Sequence, residues 1–202
     1  MLFMLYFIPL TVFGNGFWEL KREKKGKVRD VFFLLLLLII VFVLRRQTTG
    51  FIFNYNVISE MNILIEITGV LAPFLLWCVA NWSITTLVDG EGSFKDISIT
   101  TAYALIPVIL LNLLILPLSW VLTQQEGSIY GLIDRISVVW AAFLIFVGIM
   151  TIHQFSVKKT IATILIAILT MAVIVFLILL FFAVISQMLN FLLLLYKELS
   201  FR

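Results

Sequence analysis

Long apolar runs broken by short polar clusters organise this chain, and the runs keep neither the alternation of a strand nor the one-sided stripe of a soluble helix. The last is the clearest. From Thr160 almost to Tyr196 it holds neither glycine nor proline, and a continuous helix over that length would be roughly 54 Å long at 1.5 Å per residue. A bilayer core is about 30 Å thick and a crossing needs about 20 apolar residues, so about five crossings with short connections fill 202 residues. The pattern predicts crossings at 28–44, 62–87, 98–122, 136–153 and 160–186, with a tail to residue 202. The first is short, and spans only if flanking Arg29, Arg45 and Arg46 snorkel toward headgroups. Pro73 interrupts the second run; Pro107 and Pro117 lie inside the third and predict kinks whose freed carbonyls neighbouring helices re-satisfy. Glu126, Gly127, Asp134 and Arg135 are read as the loop before the fourth. In the fifth, with no turn signal, one long tilted helix is expected to continue past Ser186, Gln187 and Asn190 as an interfacial or projecting tail.

The expected fold is therefore all-α: a five-helix membrane domain over 28–202 preceded by an interfacial segment over 1–27. Phe13, Phe17, Trp18 and Leu20 lead into a basic cluster, the composition of an amphipathic helix at headgroup level. Trp18, Lys21, Arg22, Lys24 and Lys25 are its candidate headgroup anchors. Residues 1–13 carry no basic region ahead of their apolar stretch and do not read as a secretory signal.

Composition agrees, with 63% hydrophobic and 12% charged residues and a mean hydropathy of +1.18. The net charge of +3 is local to the cluster at 21–29, an orientation signal and lipid anchor, not a nucleic-acid patch. Counting Lys and Arg, a cytoplasmic N-terminus and an extracytoplasmic C-terminus place nine inside and five outside. The single cysteine, Cys78, allows no internal disulfide.

Polar residues in apolar runs are the candidates for chemistry. Glu66, one turn inside the second run, is a proton or cation site, a partner of Arg45 or Arg46, or, on the preferred reading, a headgroup-level carboxylate. Asn81 and Asn112 lie on neighbouring crossings and are expected to hydrogen-bond across helices. His153, the only histidine, is expected in a solvated or capping role near the inner interface. The turn Asp89, Gly90, Glu91, Gly92, Ser93, then Lys95 and Asp96, lacks the spacing of a calcium loop. Its glycines read as a tight turn, Asp89 or Ser93 as a helix cap, and the whole as the best contact surface for a cytoplasmic partner. No metalloprotease, phosphate-loop or nucleophile-elbow motif is present. No enzymatic activity, cofactor or metal is expected.

Three segments carry a family resemblance: Trp77-Cys78-Val79-Ala80-Asn81-Trp82, the turn Asp89–Asp96, and Ala102-Tyr103-Ala104-Leu105-Ile106-Pro107. With the stretch from Gly16 to Gly26 they resemble the bacterial branch of the Yip family, membrane proteins named for binding Ypt/Rab GTPases. The resemblance implies a five-helix membrane fold with a cytosolic N-terminus. It does not imply GTPase binding, since a short interfacial segment replaces the longer soluble N-terminal region of eukaryotic members. Bacterial relatives look like accessory subunits, some beside ABC-type transport systems. The leading expectation is thus a non-enzymatic accessory or scaffold subunit of the cell membrane, contacting lipid and an ABC permease or ATPase. A small transporter or channel using Glu66, Asn81 and Asn112, or a lipid-organising protein, is the alternative.

Overall fold

The computed structural model describes residues 15–22, 26–54 and 62–200. Residues 1–14, with Lys24 and Lys25 among the expected anchors, lie outside the described residues. All regular structure among the described residues is helical: α1 (Asn15–Arg22), α2 (Val28–Thr48), α3 (Ile63–Leu87), α4 (Phe94–Ala104), α5 (Ile106–Val121), a short 3-10 helix (Gln124–Glu126), α6 (Gly127–His153) and α7 (Val157–Ser200).

Local chemistry sets the helix ends. The Asp30 carboxylate accepts from the Lys27 backbone N–H at 3.1 Å, so an acid closes the positive N-terminal end of α2. The Asn62 side chain accepts from Leu64 N–H at 2.9 Å and caps α3. Ser93 caps α4, its hydroxyl accepting from Asp96 N–H at 3.3 Å while the Asp96 carboxylate accepts from Ser93 N–H at 3.0 Å. Asp89 and Gln154 take left-handed backbone angles, φ 53° and 54°, just past the ends of α3 and α6. Each lets the following N–H reach back into the helix, Gly90 to Thr85 O and Phe155 to Met150 O.

The three prolines stand at different places in their helices. Pro73 sits inside α3 without ending it, as Pro117 does in α5. Only near Pro107 is the ladder broken: α4 stops at Ala104, Leu105 intervenes, and Pro107 occupies the first turn of α5, where a missing N–H matters little. The expected loop before the fourth crossing is corrected, because α6 starts at Gly127 and already includes Asp134 and Arg135.

α2 turns one face to the bundle and another outward. Its buried positions, Asp30, Val31, Leu34, Leu35, Leu38 and Val41, recur at three- and four-residue spacing and pack against α3, α4 and α5. α6 packs on α4 and α5, and α7 mainly on α3. Small residues allow these approaches: Ala80, Ala102, Ala104 and Ala167 are fully buried, as expected where packing, and not expulsion of water, draws helices together. α1 lays Phe17 and Leu20 onto α6 and α4, both buried, with Trp18 outward.

Four segments are long and apolar enough to cross a membrane: Ile63–Leu87, Phe94–Val121, Gln124–His153 and Val157–Ser200. The expected crossing at 28–44 falls within α2, which bears Arg29, Asp30, Arg45 and Arg46 and is not among these four. Polar contacts gather at two ends of the bundle. At the first, Lys21 of α1 meets the 89–92 turn and the α6–α7 corner. At the second, the end of α2 meets the starts of α3 and α6 and the end of α5. α7 is one helix of 44 residues, buried only at Thr160, Thr163 and Ala167.

Candidate functional site

The apolar run of α2 ends in two arginines, and adjacent helical residues point about 100° apart. Arg45 therefore turns toward α5 and α6 while Arg46 turns toward α3. Instead of snorkelling outward, both make ion pairs within the bundle. Arg45 Nη1 lies 2.6 Å from Asp134 Oδ1 and also donates to Asn112 Oδ1. Its Nη2 lies 3.3 Å from the Tyr130 hydroxyl. Tyr130 and Asp134 stand four residues apart, on one face of α6. The remaining donor of Asn112 bonds Val108 O at 2.8 Å, so this buried amide is satisfied on both sides. Arg46 Nη1 pairs with Glu66 Oε1. Glu66 sits in the first turn of α3, where the helix dipole favours a carboxylate.

The connecting loop closes over this network. Gly50 N–H donates to Ser119 Oγ at 2.8 Å, and any Cβ at Gly50 would overlap the Ser119 carbonyl. The Trp120 indole donates to Thr48 O at 2.8 Å. Phe53 stacks on Tyr130, centroids 4.8 Å apart and planes within 6°. Between these groups opens a cavity of about 720 Å³, lined by Phe42, Arg45, Arg46, Thr49, Ile52, Phe53, Glu66, Gln124, Gly127 and Tyr130. Ionic groups and apolar walls meet there, the surface an amphiphile or a small polar ligand requires.

At the first end, the 89–96 turn already has partners within the chain. Glu91 Oε2 accepts from Lys21 Nζ at 3.1 Å and from Gln154 Nε2 at 2.8 Å; Lys21 Nζ also donates to Ile152 O at 2.6 Å. His153 is not solvated: it is 2% exposed, stacks on Phe155, and its Nδ1 accepts from Gly92 N–H at 3.2 Å. An accepting Nδ1 places the neutral ring's proton on Nε2, which is buried without a partner among the described residues. Lys95 is exposed, and Asp96 is used in the α4 cap. Of the candidate anchors, Trp18 carries the Arg22 guanidinium 4.3 Å from its ring, while Lys21 is drawn into the Glu91 contact.

Asn81 and Asn112 do not pair. Asn112 belongs to the Arg45 network, whereas Asn81, fully buried, has no partner for either amide atom among the described residues. Among the described residues no three His, Cys, Asp or Glu side chains cluster as metal ligands. Tyr130 and Asp134 are missed by sequence reasoning: Asp134 is named there only as part of a loop, and Tyr130 lies in the same stretch. Their four-residue spacing opposite a double arginine is the signal that would have joined them.

No curated protein and no solved structure matches the chain. The family model of the Yip1 domain matches residues 4–180, ending inside α7. With four helices long and apolar enough to cross a membrane, the protein is a multi-pass membrane protein in contact with the lipid bilayer. The chain belongs to the Yip1 domain family.

Proposed function

We propose that the protein is a non-enzymatic subunit of the cell membrane that scaffolds a second membrane protein, an ABC-type permease with its ATPase. The observation that carries this reading is α7. It runs about 66 Å at 1.5 Å per residue, twice the bilayer core, and no residue after Ala167 is buried. A helix apolar on all sides and longer than the membrane needs a protein neighbour for the part that lipid does not cover. The 89–96 turn, engaged with Lys21 and His153, is the weaker docking surface. On this reading α2 is the fifth crossing, α1 lies at the cytoplasmic interface, and the C-terminal end of α7 is extracytoplasmic; the nine-to-five excess of Lys and Arg supports that orientation. The likeness to bacterial accessory subunits supports the partner class by analogy alone.

A photo-crosslinking residue at Phe176 or Phe181, activated in native membranes, is expected to capture a permease subunit; the same residue at Ile129 is not. Adducts to lipid alone would sink the scaffold reading. The cavity beside Glu66 favours a second reading, a small transporter. Solute flux into liposomes of pure protein, lost in Glu66→Gln, would put that reading first.

A further inference from the structure

The cavity at the second end is walled by two arginines whose N–H donors outnumber the acceptors that meet them among the described residues. Among the described side chains facing it, Arg45 and Arg46 are cationic and Glu66 is anionic, with Asp134 outside the lining as the counter-ion of Arg45. Arg45 meets three acceptors, Asp134, Asn112 and Tyr130. Arg46 meets one among the described residues: an arm pairs with Glu66, and its buried Nε–H has no acceptor there. An unpaired buried donor on a charged group is unfavourable, and a guanidinium fork fits the paired oxygens of a phosphate. Phe42, Ile52 and Phe53 give the same cavity an apolar wall. Arg46 also stands where the apolar run of α2 gives way to polar chain, the depth at which lipid phosphates lie.

We propose that this cavity holds the phosphodiester headgroup of a phospholipid, with Arg46 as the principal donor. A free phosphate would offer the same oxygens and leave the apolar wall uncovered, so lipid is the source. The site rests on the α2 crossing given under the proposed function but needs no permease, so a failed cross-link from α7 would leave it standing.

The test uses the full-length protein, delipidated in mild detergent and titrated with dioctanoyl phosphatidylglycerol, with dioctanoylglycerol, which lacks the phosphate, and with inorganic phosphate. Bound adducts are read by native mass spectrometry and the melting midpoint is followed in parallel. The phospholipid is expected to bind one to one and raise the midpoint. Arg46→Lys keeps the charge and the Glu66 partner but loses the fork, and should bind about ten-fold more weakly. Glu66→Gln releases an arm of Arg46 and should bind more tightly, which separates loss of the site from loss of the fold. Arg135→Lys, outside the cavity, should match the unaltered protein. Equal binding of dioctanoylglycerol, displacement of the lipid by inorganic phosphate, or indifference to both the Arg46 and Glu66 changes would each overturn the proposal.

Discussion

The imidazole of His153 lies under the 89–92 turn with its ring 5.2 Å from that of Phe155, centroid to centroid, and two glycines make room for it. A Cβ on Gly92 would come within 2.7 Å of His153 Cε1 and 3.0 Å of Nε2; one on Gly90 would come within 2.5 Å of Nδ1 and 2.9 Å of Thr85 O. Thr85 O is backbone, so Gly90 is confined on two sides, whereas the obstacle at Gly92 is the imidazole alone. Gly92→Ala is therefore expected to destabilise the protein by about 1–3 kcal/mol, the usual penalty of overpacking. In a His153→Ala background the added methyl meets space, and its effect should fall below about 0.5 kcal/mol. Denaturation of the four proteins in one mild detergent measures the coupling, and strictly additive effects would refute it. The turn itself was legible in the sequence, because two glycines and a capping serine need only local geometry. Its obstacle was not, since residue 153 is 61 positions from Gly92 and no local pattern joins them. Arg45 and Asp134, 89 positions apart, were hidden for the same reason.

Among the elements, α6 approaches α4 closely at a glycine. Gly148 faces α4 so closely that any Cβ would overlap the Thr100 methyl, and Phe17 of α1 lies 3.5 Å from that point. Gly148 thus joins three helices, and α1, only eight residues long, has too few turns to persist without a surface to rest on. Gly148→Val should drive α4 from α6 and release α1. Lys21, now 19% exposed through its bonds to Glu91 and Ile152, would then become a ready tryptic site. Cleavage after Lys21 is expected to accelerate about ten-fold, as local opening sets proteolysis; an unchanged rate would mean that Phe17 is not what holds α1. Element existence was readable because the bilayer demands runs of fixed length and composition. Element ends were less so. Pro73 removes one N–H, which in α3 leaves the turn around Gly69 and the rest of the helix in place, whereas Pro107 coincides with a real break after Ala104. The difference depends on what packs around each proline, and a linear pattern of apolar residues does not contain that.

For the whole molecule, the two polar ends define a layer, and the path of α2 decides how many rods cross it. Lys21 at the start of the chain shares an end with Glu91 and Gln154; Thr48, at the last residue of α2, shares the other with Trp120. If that layer is the bilayer, α2 crosses it although charges stand at both its ends, and an odd number of crossings sets Arg22 and Ser200 on opposite sides. Cys78, the single cysteine, is buried, so replacing it with alanine gives a background in which a thiol reports its own position alone. In that background Arg22→Cys and Gln154→Cys are expected to react with a membrane-impermeant maleimide only from the cytoplasmic side. Thr48→Cys and Thr123→Cys, exposed at the end of α2 and just past the end of α5, are expected to react only from outside. Labelling of Arg22→Cys and Thr48→Cys from one side would remove α2 from the crossings, leaving four. The two polar ends would then not be the two membrane faces, and nothing would hold the Arg46 cavity, with its two partly exposed ion pairs, at headgroup depth and out of the hydrocarbon. The sidedness of Thr48 therefore tests the architecture and the cavity's chemistry together, because both require the end of α2 to emerge where polar lipid begins.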